Sequence, residues 1–259
     1  MSVNVPSKRT APAHTAEFRF YEELNDFLPI ALRKRSFAHA FTGTPSVKDV
    51  IEALGVPHTE VDLILVNGRS VDFSYPVRDG DRISVYPVFE SFDISPLLRL
   101  RPRPLRDPRF VLDSHLGRLA VYLRLLGFDT LYRNDYGDAQ IVELARAEQR
   151  IILTRDKGLL KHGAVTHGYW LRETEPHRQT VEVLRVFDLR RSMQPFTRCM
   201  ACNGELQDVG KAVVIDRLPP HVRESFDQFA QCAGCSRVYW PGSHYTRLRQ
   251  MIDALEAAG

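Results

Sequence analysis

No stretch of about 18 or more consecutive apolar residues, the length a membrane-spanning helix requires, occurs in the 259-residue chain, so no such helix is expected. The first residues, Met1 to Ala16, also lack the apolar core of a secretory signal. They are rich in Pro, Ser, Thr and basic groups, the composition of a disordered tail over residues 1–15 of a cytoplasmic protein. Charge of one sign is nearly balanced, at +3 overall. Residues 1–90 hold 10 Lys/Arg against 12 Asp/Glu, and residues 91–259 hold 25 against 20. The modest basic excess of the second part suits a phosphate-bearing partner, and it equally suits ordinary solvated surface.

Cysteine is scarce, and its placement is informative. All four cysteines, Cys199, Cys202, Cys232 and Cys235, fall in two C-x-x-C pairs separated by 29 residues. Two thiolates at that spacing grip one tetrahedral Zn²⁺, and a second pair closes the site. A redox C-x-x-C is normally a single pair near a helix start, and stable disulfides do not persist in a reducing cytoplasm. The expectation is one structural Zn²⁺ in a ribbon over residues 193–259. Four cysteine ligands leave no open coordination position for catalysis.

Residues 16–92 read as a small α+β unit. Glu17–Tyr21 and Ser36–Phe41 alternate apolar and polar residues with the period of a half-buried strand. Ser46 with Asp49 three residues on forms a capping box for a helix whose face is Val47, Val50, Ile51 and Leu54. A strand from Val61 to Val66 follows, then the tight-turn pair Asn67-Gly68 and a last strand from Arg82 to Val88. The order resembles the β-grasp, or ubiquitin-like, fold and its sulfur-carrier branch, on the Asn-Gly turn and the stretch Val77–Pro87. That branch ends in a free Gly-Gly. Here the chain runs on through Phe89-Glu90-Ser91-Phe92, which removes thiocarboxylate chemistry. A docking or RNA-contacting module and a plain stabilising scaffold both stay open.

The connection at 93–108 is basic and broken by proline. Arg99 to Arg109 carries five arginines and three prolines, with Arg101 and Arg103 among them. Proline there forbids a helix and favours an extended chain. It suits a strap that contacts RNA phosphates, and equally a solvated linker.

Residues 109–192 alternate strand and helix in the manner of an α/β domain with a parallel sheet. Phe110-Val111-Leu112 is a short continuous apolar run ended by Asp113, and Ile151-Ile152-Leu153-Thr154 is another, ended by Arg155-Asp156. Between them lie a helix stopped by Gly127, a strand over Phe128–Arg133 and a helix opened by Asp138. A strand at about Val165–Leu171 and a helix at about Gln179–Phe187 follow. Asp113 and Asp156 then meet at the C-terminal edge of one sheet, where α/β proteins bind ligands, and Asp138 falls nearby. Two or three carboxylates suit Mg²⁺ or Mn²⁺, which take hard oxygen ligands and keep several waters. Singly, Asp113, Asp135 and Asp138 suit helix caps or turns as well. Asp156 fits capping least, since no long helix follows it. Arg118, Arg155, Lys157 and Lys161 beside the acids suit phosphate contacts, or surface charge. His115 suits a general acid–base or a structural role. Trp240, Tyr239 and Tyr245, beside Arg237, Arg247 and Arg249, suit RNA stacking or core packing.

The stretch from Asp113 to Asp129, "Gly-Asp-Ala-Gln-Ile-Val-Glu-Leu-Ala" from Gly137, and "Arg-Ile-Ile-Leu-Thr-Arg-Asp-Lys-Gly-Leu-Leu" from Arg150 resemble the motifs of the Mut7-C RNase family, a PIN-like nuclease group. The cysteine pairs resemble its zinc ribbon, and a ubiquitin-like domain is a known N-terminal companion. The resemblance implies a metal-dependent ribonuclease with Asp113, Asp138 and Asp156 as metal-binding acids, Mg²⁺ or Mn²⁺ as catalytic cofactor, Zn²⁺ as structural metal and intracellular RNA, tRNA for example, as substrate. PIN domains usually add a fourth acid after the fourth strand. Here that region offers Glu173 and Glu175. A non-catalytic RNA-binding protein, or an adaptor that docks proteins through its β-grasp domain, are the rival readings.

Overall fold

The computed structural model describes residues 14–87 and 108–257. The tail and the basic strap with Arg101 and Arg103 lie outside the described residues. The chain divides into two compact units, residues 1–104 and 105–259.

In the first unit, β1 (His14–Phe20) and β2 (Phe37–Phe41) precede helix α1 (Val47–Ala53), and β3 (Leu63–Val66), β4 (Arg69–Val71) and β5 (Arg82–Tyr86) follow it. They form one sheet in the order β2-β1-β5-β3-β4. The central β1–β5 pair is parallel, and the other pairs are antiparallel. The alternation in β1 is the physical cause of the core, since Ala16, Phe18 and Phe20 all turn inward. Ser46 caps α1 as its sequence implies: Ser46 Oγ accepts from Asp49 N at 3.2 Å, and Asp49 Oδ2 accepts from Ser46 N at 3.2 Å. Val47, Val50 and Ile51 are buried. Asn67 and Gly68 both take positive φ, 51° and 81°, as a tight hairpin between β3 and β4 requires. A mixed sheet of this order with one capped helix is a β-grasp domain.

The second unit begins with β6 (Phe110–Leu112), α2 (Gly117–Leu125), β7 (Thr130–Leu131), α3 (Asp138–Glu148), β8 (Ile151–Thr154), α4 (Lys157–Leu160), β9 (Gly168–Trp170) and α5 (Pro176–Val186). Its four strands are all parallel, in the order β7-β6-β8-β9. The apolar runs of β6 and β8 are continuous because both faces of the sheet are covered. Phe110, Leu112, Ile151 and Leu153 face one core with Leu119, Leu123 and Val183 from α2 and α5. Val111 and Ile152, on the opposite pleat, face Ile141, Val142 and Leu159 from α3 and α4.

The remainder is an antiparallel three-stranded sheet, β10 (Leu206–Val209), β11 (Phe229–Cys232) and β12 (Val238–Tyr239), followed by α8 (Ser243–Ala257). Two short helices, α6 (Lys211–Val214) and α7 (Pro220–Ser225), fill the long cysteine spacer. They bury Val214, Leu218 and Val222 against Phe229. Helix α8 turns back to the parallel domain, where Ile252 and Leu255 enter the same core as Phe110. The ribbon and its last helix therefore share one compact unit with the parallel sheet, and residue 192 marks no break in packing. The strand expected over Phe128–Arg133 shrinks to Thr130–Leu131. Phe128 leaves the strand to pack in the core, and Asp129 turns to polar partners across the ribbon boundary.

Candidate functional site

The order β7-β6-β8-β9 puts a topological switch between β6 and β8. The connection from β6 leads to β7 on one side, and the chain then crosses back to β8 on the other. Ligands of open α/β sheets bind at that point, outside the C-terminal strand ends. Asp113 directly follows β6, and Asp156 stands two residues past the end of β8. Register holds the two ends together, since Leu112 pairs with Leu153 and Asp113 N donates to Leu153 O at 3.1 Å.

Thr154 joins the acids. Its hydroxyl donates to Asp113 Oδ2 at 2.7 Å, and its oxygen accepts from Asp156 N at 2.8 Å. Thr154 is fully buried and Asp113 half-buried, while Asp156 is exposed. The sequence treated Thr154 as the last residue of a strand. Its signal was present but unspecific: a hydroxyl residue between an apolar run and an acid.

The capping alternatives fall in an unexpected way. Asp113 makes no cap hydrogen bond, so its carboxylate is not consumed by a helix start. Asp138 is the first residue of α3, whose N-cap is Gly137. It is exposed at the positive end of the helix dipole. Asp156, which looked least like a cap, does cap the one-turn helix α4: Oδ1 accepts from Gly158 N at 2.7 Å. A four-residue helix carries too little periodicity to be read from sequence. Asp135 is paired with Arg133 at 2.9 and 2.7 Å, and this pairing lowers its pKa. Glu175 caps α5 by accepting from Arg178 N at 2.9 Å. Of the two glutamates offered as a fourth acid, Glu173 is the one whose carboxylate is not used in a cap.

Among the described residues, the three aspartates do not form a tight ligand cluster of the kind made by the cysteines. The donors are nonetheless hard carboxylate oxygens at a solvent-open sheet edge. That suits a cation which keeps several waters and draws on substrate phosphate for the rest of its shell.

The basic neighbours divide by what they touch. Arg155 Nη1 donates to the carbonyls of Leu171, Arg172 and Glu173 at 3.0, 2.8 and 2.6 Å. It ties down the chain after β9, so its guanidinium is engaged by protein. Lys157 Nζ sits 4.3 Å from the Trp170 ring centroid, and the Arg172 guanidinium lies 5.6 Å from that ring. Arg118 is exposed on α2. The buried Glu182, passed over in the sequence, holds the same segment by accepting from Tyr169 Oη, Arg172 N and Glu173 N at 3.0, 2.9 and 3.1 Å.

The cysteines form a second centre. All four Sγ atoms lie within 4.8 Å of one another. Cys199 and Cys235 are 3.6 Å apart, and Cys202 and Cys232 are 3.4 Å apart. Tetrahedral Zn–S bonds of about 2.3 Å place sulfurs about 3.8 Å apart, so the cluster is sized for one zinc. Backbone N–H groups of Gly234 and Cys235 point at Cys232 Sγ, at 3.3 and 3.4 Å. A Cβ on Gly204 would stand 2.8 Å from that sulfur, so glycine is what lets the knuckle close. Burial pushes the Cys199 thiol up, but hydrogen bonding from Tyr239 and the nearby backbone outweighs it and brings the pKa down to about 6. Burial pushes Cys202 up to about 12. Four crowded sulfurs cannot all be thiolates without a cation between them.

The cysteine knuckle is tied to the parallel domain by polar bonds. Arg124, buried on α2, donates to the carbonyls of Met200 and Ala201 at 3.2 and 3.1 Å. Asn203 Oδ1 accepts from Thr130 N at 2.9 Å, and its Nδ2 donates to Asp129 at 2.7 Å. Asp129 also accepts from Arg150 at 2.7 Å. Burial pushes the Asp129 carboxyl up, but Arg150 and Asn203 outweigh it and hold the pKa below the usual carboxylate value. Its contribution to stability is therefore complete above about pH 4 and is lost as pH falls through the lowered value. Denaturant melts should show Asp129→Asn less stable by about 3 kcal/mol at neutral pH, with the gap closing in acid. A gap that stays constant with pH would refute the pairing.

A family model described as the Mut7-C RNAse domain matches residues 108–252, and one described as Mut7-C ubiquitin matches residues 13–93. No curated protein matches the chain.

Proposed function

The chain belongs to the Mut7-C RNase family, and from that premise we propose that it is a metal-dependent ribonuclease acting at the edge between β6 and β8. One observation carries the reading: Asp113 and Asp156 follow the adjacent strands β6 and β8 at the switch point of a parallel sheet, and the Thr154 hydroxyl contacts the Asp113 carboxylate and the Asp156 backbone N–H. Asp113, Asp156 and Asp138 would hold Mg²⁺ or Mn²⁺. Such a cation supplies an activated water and neutralises charge on the phosphate being cleaved. The Thr154 and Ser114 hydroxyls orient the Asp113 carboxylate, and the α4 cap orients that of Asp156. Arg118 and the strap residues Arg101 and Arg103 suit backbone phosphates. Arg155 and Lys157 support the site chiefly through the chain segment and ring they hold.

The proposed substrate is intracellular RNA with structure, such as tRNA. The proposed setting is the cytoplasm, where four thiols stay reduced for zinc. Among the described residues no helix is long and apolar enough to cross a membrane. The β-grasp unit serves as a site for a protein partner.

The test is cleavage of structured RNA by the full chain in Mg²⁺ or Mn²⁺, with EDTA as the control. Cleavage that EDTA does not stop would overturn the metal role, and no cleavage in any divalent ion would favour an RNA-binding protein without catalysis. Thr154→Val removes the hydroxyl between the Asp113 carboxylate and the Asp156 backbone N–H at nearly constant volume. It should cost about 1–2 kcal/mol of stability and about tenfold in kcat, equal to roughly 1.4 kcal/mol of transition-state alignment. Unchanged kcat in Thr154→Val would show that the Asp113 carboxylate needs no such anchor.

A further inference from the structure

We propose that the cleft between the ribbon sheet and α8 binds an unpaired base of an RNA chain, stacked against Trp240 and Tyr245. The inference rests on the ribonuclease reading for its choice of RNA, but the cleft shares no residue with the acidic edge.

The cavity measures about 530 Å³, within the range of small-ligand sites. Aromatic rings line it, and each is braced from behind. Trp240 packs against the small core of Val214, Val222 and Phe229. Tyr245 stacks on Phe196 with ring centroids 4.4 Å apart and planes inclined by 31°, and it is 36% exposed. The ring of Tyr239 is fixed by its hydroxyl, 3.1 Å from Cys199 Sγ. Braced faces of this kind lose little freedom when a flat ligand stacks on them.

The polar groups in the cleft argue against a purely apolar occupant. The Trp240 indole N–H donates to no protein group among the described residues, and the side chains of His221 and Gln228 also line the cavity without a protein partner there. A Cβ at Gly242 would lie 3.2 Å from Trp240 Nε1, so glycine keeps that edge accessible. An apolar protein segment would cover these donors and acceptors without satisfying them, at a cost. A nucleobase offers an aromatic face for the rings and polar edges for the rest. Arg237 and Arg247, exposed nearby in sequence on either side of Trp240 and in no ion pair among the described residues, suit the flanking phosphates.

The test uses the full chain carrying Asp113→Asn and Asp156→Asn, so that RNA stays intact. Binding of a short fluorescein-labelled single-stranded RNA is followed by anisotropy, beside a blunt duplex of the same sequence. Trp240→Ala should weaken the single strand about tenfold, as loss of one base stack does, and leave the duplex unchanged. Trp240→Phe should restore most of the affinity. Zinc content reports whether the ribbon stays folded. If Trp240→Ala loses zinc, Tyr245→Ala on the helix decides the matter by the same comparison. Single-strand affinity unchanged in the variants, or equal losses for strand and duplex, would overturn the proposal. The comparison is independent of cleavage. A parent chain that cuts no RNA but shows the Trp240 effect would sink the ribonuclease reading alone, whereas a cutting parent without that effect would sink the cleft alone.

Discussion

Asp113→Asn is expected to lower the rate of RNA cleavage about 10³-fold, the scale of several kcal/mol supplied by a carboxylate–metal contact. The physical reason is the position of Asp113. It is half-buried, its Oδ2 is held by Thr154, and it makes no cap bond whose loss would confuse the result. Asparagine has nearly the same shape and still offers an oxygen to the Thr154 hydroxyl, so stability should change by about 1 kcal/mol or less. RNA affinity should hold or tighten, because a charge repelling phosphate has been removed. Asp156→Asn is the matched experiment. Asparagine caps a helix about as well as aspartate, so the Gly158 bond survives and only charge is lost. Both variants should fail in single-turnover cleavage with excess enzyme while melting normally. Wild-type rates in either would remove that residue from the active site.

Loss of zinc is expected to damage more than the ribbon. Metal analysis should find one zinc for each chain, and Cys199→Ser or strong chelation should remove it. Structural zinc sites contribute folding energy outright. Here the knuckle also presents the Met200 and Ala201 carbonyls to the buried Arg124, and Asn203 to Thr130 and Asp129. Freed from the metal, these groups no longer hold position, and buried polar groups on α2 and β7 lose their partners. The melting temperature of the second unit should fall by about 15 °C. The β-grasp unit, with its own sheet and capped helix, should melt as before. Hydrogen exchange resolved by peptide separates the two: faster exchange in residues 117–131 on zinc loss is the expected signature. Protection in that stretch without zinc would refute the coupling.

Much of the fold was legible along the chain. The period of two in β1, the box at Ser46 and Asp49, and the Asn67-Gly68 turn specify the β-grasp unit locally, because each works through neighbours close along the chain. The continuous apolar runs at Phe110–Leu112 and Ile151–Thr154 imply a sheet covered on both faces, and the cysteine spacing implies one metal. What the acids touch was not legible. In sequence Asp113 and Asp138 read equally as helix caps, since strand ends and helix starts favour aspartate, and Asp156 reads least like one. Only the folded structure shows that Asp113 meets Thr154, that Asp156 caps a helix too short to leave a periodic trace, and that Asp138 stands exposed at the start of α3. The boundary between nuclease domain and ribbon is of the same kind. The cysteine motif sets a boundary at about residue 193, yet Ile252 and Leu255 return to the core of Phe110, and Arg124 reaches 76 residues along the chain to Met200. Such contacts depend on where packing brings distant segments, and local pattern carries no record of them.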